Sequence, residues 1–190
     1  MSKKGVLFIA VSLIVSTAMS SIRLDLKEIR AENILTGQIQ SVSLIDTKNP
    51  KNFGTVVIFM SAKCPCSGSH TDIIKELAKK YSDFQFIGIH SNTDEANKIT
   101  EEYFKKVQFP FAILQDQDAK IADIFKAFKT PHAFLINGKG EVIYQGGVTN
   151  SSNASSADKN FLADALADTV AGKPIQTPLG RTLGCVILRK

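Results

Sequence analysis

The sequence predicts a single α/β domain, and two observations carry that expectation. Short continuous runs of β-branched and aromatic residues, Thr55 to Met60 (TVVIFM) and Phe84 to Ile89, have the pattern of strands buried on both faces of a sheet. Segments with apolar residues at helical spacing alternate with them, and that alternation calls for a mostly parallel sheet. Hydrophobic residues make up 44% of the 190 and charged residues 22%, a globular balance that excludes wholesale disorder and a fibrous protein.

The elements follow in chain order. Lys3 and Lys4 precede an apolar run from Val6 to Val15, and Thr17, Ala18, Met19 and Ser20 supply small residues suited to cleavage. Residues 1–20 therefore read as a secretory signal peptide, its apolar part being about half of a roughly 20-residue membrane span, with an uncleaved membrane anchor as the weaker alternative. Residues 21–37 read as a helical or irregular lead-in ended by Gly37. Gln38 to Asp46 alternates, with Ile39, Val42, Leu44 and Ile45 as inward positions, and Asn49-Pro50 closes it as a turn. TVVIFM is the expected central strand. Pro65 opens a helix to Tyr81 that carries Ile73, Ile74, Leu77 and Ala78.

Beyond the second buried run, Asp94 to about Val107 reads as a polar helix and Phe111 to Leu114 as a strand. A short helix from Asp118 to Phe128 shows Ile121, Ile124, Phe125 and Phe128 on one side. His132 to Asn137, the Gly138-Lys139-Gly140 turn and Glu141 to Gln145 form a hairpin. A Ser- and Asn-rich loop from Thr149 to Ala157 leads to a helix from Asn160 to Val170. The Asn153-Ala154-Ser155 triplet in that loop reflects loop composition, not glycosylation. Residues 173–190 form a tail whose apolar Leu183–Leu188 segment is expected to dock on the domain.

Three cysteines are too few for a disulfide framework, and the odd count leaves one thiol unpaired. The central strand runs through Ser61-Ala62-Lys63 into Cys64-Pro65-Cys66-Ser67 and then a helix. The positive end of a helix stabilises an anion, so a thiol at that junction falls below its ordinary pKa, and Lys63 pushes the same way. The thiolate is the nucleophile of disulfide exchange and peroxide reduction, which makes Cys64 the expected attacking sulfur. Cys66 and Cys185 are the candidate resolving thiols. A Cys64–Cys66, Cys64–Cys185 or Cys66–Cys185 bridge stays open, the first closing a very small ring.

Four features occur together in the order seen in thioredoxin-like proteins: the strand-Cys-helix junction, FPFAILQDQDAKIADIF, the Thr130-Pro131 dipeptide and the NGKGEVIYQGG hairpin. Across roughly residues 38 to 170 the chain resembles the AhpC/TSA redoxin and TlpA-like branch. The resemblance implies a central mixed sheet flanked by helices over residues 38–172, with residues 94–107 as the branch's extra helix. It implies that Pro131 is cis beside Cys64, with Thr130 and Pro131 contacting the substrate chain. Leu183-Gly184-Cys185-Val186-Ile187 is similar to the Gly-Cys tail of some exported redoxins.

The expected function is that of an exported, periplasmic thiol–disulfide oxidoreductase. Its partners are exported protein thiols or disulfides and a redox partner that resets the pair, with no organic cofactor and no metal. Two departures bear on alternatives. Ser67 stands where a second cysteine of Cys-x-x-Cys would be. Peroxiredoxins, which Ser61 matches three residues before the cysteine, also carry an upstream proline where this chain has Val57, and an arginine in the domain body. No arginine occurs between Arg30 and Arg181, and a lysine lacks the bidentate fork, which weighs against a peroxidase. Copper binding by Cys64, Cys66 and His132 is the third reading. His70 and His90 read as surface or loop residues. The net charge is +5, or +3 after leader removal, with Lys173, Arg181, Arg189 and Lys190 in a solvated tail. That is no electrostatic footprint for nucleic acid.

Overall fold

The computed structural model describes residues 22–24, 26–45 and 52–189. The signal peptide expected over residues 1–20, the Asn49-Pro50 turn and Lys190 lie outside the described residues.

TVVIFM is the middle of the molecule because every side chain in it but that of Thr55 is apolar. It forms β4 (Gly54–Met60), buried at every position. On one side β4 pairs in parallel with β5 (Phe84–His90), which pairs in parallel with β6 (Ile113–Gln115). On the other it pairs antiparallel with β8 (His132–Ile136), and β8 with β9 (Glu141–Gly146), the expected hairpin. β1 (Ile22–Arg23) adds to β9, while β2 (Glu28–Asn33) extends the far edge antiparallel to β6 and β3 (Ile39–Ser43) pairs antiparallel with β2. The eight strands run β1-β9-β8-β4-β5-β6-β2-β3. The sheet is therefore mixed, and its parallel part is confined to β4-β5-β6. A hairpin and the added edge strands contribute only antiparallel pairs.

Period-2 alternation along β4 splits the core in two. Val56, Ile58 and Met60 face α2 (Thr71–Lys80), α3 (Asn97–Val107) and α5 (Phe161–Val170) through Ile74, Leu77, Phe104, Leu162 and Leu166. Val57 and Phe59 face α4 (Lys120–Phe125) on the opposite side, together with Ile29, Leu44 and, from the tail, Ile187. There Phe59, Phe125 and Phe134 close an edge-to-face triangle with centroids 5.1 to 5.7 Å apart.

Four expectations are corrected. Within the segment expected to be helical or irregular, residues 28–33 form a strand, β2, in which only Ile29 is fully buried, too little apolar pattern to disclose period 2. Ile39 begins β3 62% exposed, since the edge of the sheet leaves it uncovered. Ile124 and Phe128 are exposed: Ile124 lies on the face of α4 away from buried Ala122 and Phe125, and Phe128 follows the helix end, where Lys126 turns left-handed at φ 54°. The Pro65–Tyr81 helix is two pieces, α1 (Pro65–Ser69) and α2, meeting at His70.

The tail folds back onto the domain. Gln145 N–H donates to the Pro178 carbonyl and Gly180 N–H to the Gln145 carbonyl at 3.0 and 2.9 Å. β10 (Cys185–Val186) then pairs antiparallel with β7 (Lys129–Thr130).

Replacing Phe59 by Ala removes the hub of the aromatic triangle and is expected to cost about 3–5 kcal/mol. The chain has no Trp, so urea unfolding followed by circular dichroism is the measurement; a loss below about 1 kcal/mol would contradict the packing.

Candidate active site

The end of β4 turns at Ser61-Ala62-Lys63 and places Cys64 at the N-cap of α1 in extended conformation, with Pro65 at the first helical position. Its sulfur is the capping atom: Ser67 N–H donates to Cys64 Sγ at 3.4 Å. The thiol in turn donates to the Thr130 carbonyl at 3.2 Å. Thr130 precedes Pro131 across a cis bond, so β7, α1 and the sulfur meet at one point.

β10 brings the third cysteine to that point. Cys185 stands opposite Thr130 in the β10–β7 register. Such an approach needs Gly184, since a Cβ there would lie 2.0 Å from the Thr130 carbonyl oxygen. The sulfurs of Cys64, Cys66 and Cys185 all lie within 4.8 Å of one another, and none is in a disulfide.

Burial pushes the Cys64 thiol up, but hydrogen bonds outweigh it and leave the group below the ordinary thiol range. They come from the Cys185 thiol, the Thr130 hydroxyl, the Ser67 N–H and the Cys185 N–H. The Thr130 hydroxyl has no partner of strict hydrogen-bond geometry, yet stands close enough to favour the thiolate. The other two move the opposite way. Burial, then the neighbouring Cys64 charge, raises Cys66, and burial with hydrogen bonding to Cys64 pushes Cys185 up to about 12. Of three adjacent sulfurs, one is favoured as the anion and two as thiols.

The side chains of Ser61 and Lys63, expected to stabilise the thiolate, make their hydrogen bonds around the turn. The Ser61 hydroxyl accepts from Cys64 N–H at 3.0 Å and donates to Glu95. Lys63 is exposed, and its ammonium donates to the Asp94 carbonyl at 3.2 Å. The centre of this network is Glu95, which the sequence reading passed over. Its second oxygen accepts from Ala62 N–H at 2.8 Å and Lys63 N–H at 3.3 Å and lies 3.0 Å from His90 Nε2. Burial raises the Glu95 carboxyl, but hydrogen bonds from His90 and Ser61 and the Ala62 N–H more than offset this and hold it below its ordinary value. A polar stretch, His-Ser-Asn-Thr-Asp-Glu, gives no periodic signal that could have singled it out.

The histidines correct three expectations. His90 is buried between Glu95 and Gln115. His70 is buried too: its Nδ1 lies 2.8 Å from the Cys66 carbonyl and its Nε2 2.8 Å from the Thr149 hydroxyl, tying α1 to the loop after β9. His132 does not join the sulfurs. Its ring packs between Phe128 and Phe134, its Nδ1 has no partner, and burial lowers it to about 4.

The family model described as Redoxin matches residues 25–161. An uncharacterized conserved protein from Geobacillus kaustophilus is similar in structure, with TM-score 0.75, 19% identity and coverage of 90% of this chain and 92% of that one. A hypothetical protein from Sinorhizobium meliloti gives the same score and identity, covering 90% and 94%. A secreted Mycobacterium tuberculosis disulfide oxidoreductase, homologous to DsbE of E. coli, aligns with TM-score 0.54 and 17% identity over 76% of this chain and 95% of that one. No curated protein matches the sequence.

Glu95→Gln keeps the shape and removes the charge that binds two N–H groups and a hydroxyl, an expected loss of about 1–3 kcal/mol at neutral pH. Because the folded Glu95 titrates below its unfolded value, its contribution is present above the unfolded pKa and is lost as pH falls through the folded one. Denaturation of both proteins from neutral to acid should show the gap closing; a gap independent of pH would overturn the assignment.

Proposed function

The chain belongs to the redoxin family of oxidoreductases, and from that premise we propose that it exchanges disulfides with other proteins through Cys64. The observation that carries this is the meeting of the helix-capping Cys64 sulfur with two further thiols within 4.8 Å. Cys64 thiolate attacks one sulfur of a client disulfide; a mixed disulfide forms and the client's other sulfur leaves as a thiolate. A second thiol, after losing its proton, attacks Cys64 Sγ and releases the client's remaining thiolate. The client has then gained two electrons as two thiolates, which take up the proton lost by the second thiol and one from water; the enzyme holds one disulfide, and a partner dithiol resets it.

Cys185 is the better resolving thiol. Its sulfur is held within 4.8 Å of Cys64 Sγ by the β10–β7 register, and a bridge to it avoids the small Cys64–Cys66 ring. Thr130-Pro131 is the platform for the client backbone. β10 occupies that platform in this structure, so a client strand must displace the tail. The leader and the secreted, DsbE-like neighbour support export to a periplasm-like compartment, and among the described residues no helix is long and apolar enough to cross a membrane.

Mass spectrometry of the oxidised protein should find Cys64 bonded to Cys185, and Cys64→Ser should abolish reduction of a protein disulfide. Rapid hydrogen peroxide turnover with a dithiol reductant, exceeding disulfide exchange, would instead favour a peroxidase. Gly184→Ala should push β10 off Thr130 and raise several-fold the limiting alkylation rate of Cys64 at a pH high enough to ionise the thiol in both proteins; an unchanged limiting rate would show that the tail does not cover the thiol.

A further inference from the structure

Disulfide exchange uses two sulfurs at a time, yet three converge here. They come from separate places: the β4–α1 turn, the first turn of α1 and β10. Their mutual separation of at most 4.8 Å is close to what a single ion asks of a planar three-sulfur set. With metal–sulfur bonds of about 2.3 Å, such sulfurs stand about 4.0 Å apart. Closing the longest separation therefore takes a movement of side chains only, within reach of rotamer changes at the two half-buried thiols.

We propose that the reduced protein binds one copper(I) ion through Cys64, Cys66 and Cys185. The ligand set selects the ion. Three thiolates are soft donors and exclude magnesium, calcium and other oxygen-seeking cations. No histidine or carboxylate joins the group among the described residues, so the fourth protein ligand of a structural zinc site is missing. Copper(I) is soft, redox-matched to thiolates and accepts low coordination. Binding replaces the remaining S–H protons by one cation: two protons leave when Cys64 is already the thiolate and three when it is a thiol, copper stays in the +1 state and no sulfur is oxidised. The Ser67 N–H aimed at Cys64 Sγ offsets part of the remaining negative charge. Cys64 is buried while Cys66 and Cys185 are partly open, so the ion is shielded on one side and can be delivered and removed from the other.

The site depends on the tail staying paired with β7, since Cys185 reaches the other sulfurs only through that register. It does not depend on disulfide exchange. Any bridge among the three sulfurs removes two ligands at once, so the oxidised protein cannot hold the ion in this way.

The test is an anaerobic titration of the reduced full chain with copper(I) against a chromophoric copper(I) chelator, with X-ray absorption on the loaded protein. One copper per chain with three sulfur neighbours is expected, and Cys66→Ser and Cys185→Ser should each weaken binding roughly tenfold or more. Two sulfur neighbours, undiminished affinity in Cys185→Ser, or zinc(II) displacing copper(I) would each overturn the proposal. The wild-type coordination number decides the matter even if a variant folds poorly. Exchange is assayed on metal-free protein, so its loss strikes the functional reading and leaves the copper site standing, and the reverse holds as well.

Discussion

One buried carboxylate fixes the geometry on which the site depends. Glu95 receives the Ser61 hydroxyl, the Ala62 N–H and the Lys63 N–H, which are the polar groups of the turn delivering Cys64 to the helix. Ser61, so held, satisfies the N–H of Cys64 itself. A charge this deep is costly unless its hydrogen bonds are complete. Here they are, and His90 carries the network on to Gln115 in β6. The sulfur's position is thus set by the parallel half of the sheet, through a side chain that never touches it.

The antiparallel half of the molecule supplies the chemistry's other side. β7 offers the Thr130 carbonyl to Cys64, and β10 lies along β7 with Cys185 in register. Ile187 anchors the strand in the core beneath α4, and Arg189 reaches Asp123 and the Ala127 carbonyl. A tail with one buried side chain, a paired strand and a fixed cation is a structural part of the site. The lowered Cys64 and the raised Cys66 and Cys185 are one result of that crowding, because thiols that favour the Cys64 anion are themselves harder to ionise beside it.

What was legible in the sequence follows from how each element is stabilised. β4 and β5 were readable because burial on both faces demands an unbroken apolar run, and the β8–β9 hairpin because its turn needs Gly and Asn. Cys64 was readable from its place between strand and helix. β2 was not: as a strand near the sheet edge it buries only Ile29 completely. Glu95, His70 and His90 were missed for one reason, that polar residues buried by hydrogen bonding look in sequence like polar residues in water. The tail's Gly-Cys pair was legible as a resemblance, while its meeting with Thr130 depends on a register no local pattern encodes.

The pairing of β10 with β7 has a quantitative consequence for any partner. A strand tethered to its own binding site acts at an effective concentration of about millimolar, and it does not diffuse away. Under the proposed function, a client strand that uses the same backbone edge competes with this resident strand, so its apparent affinity is its intrinsic affinity divided by the tail's occupancy advantage.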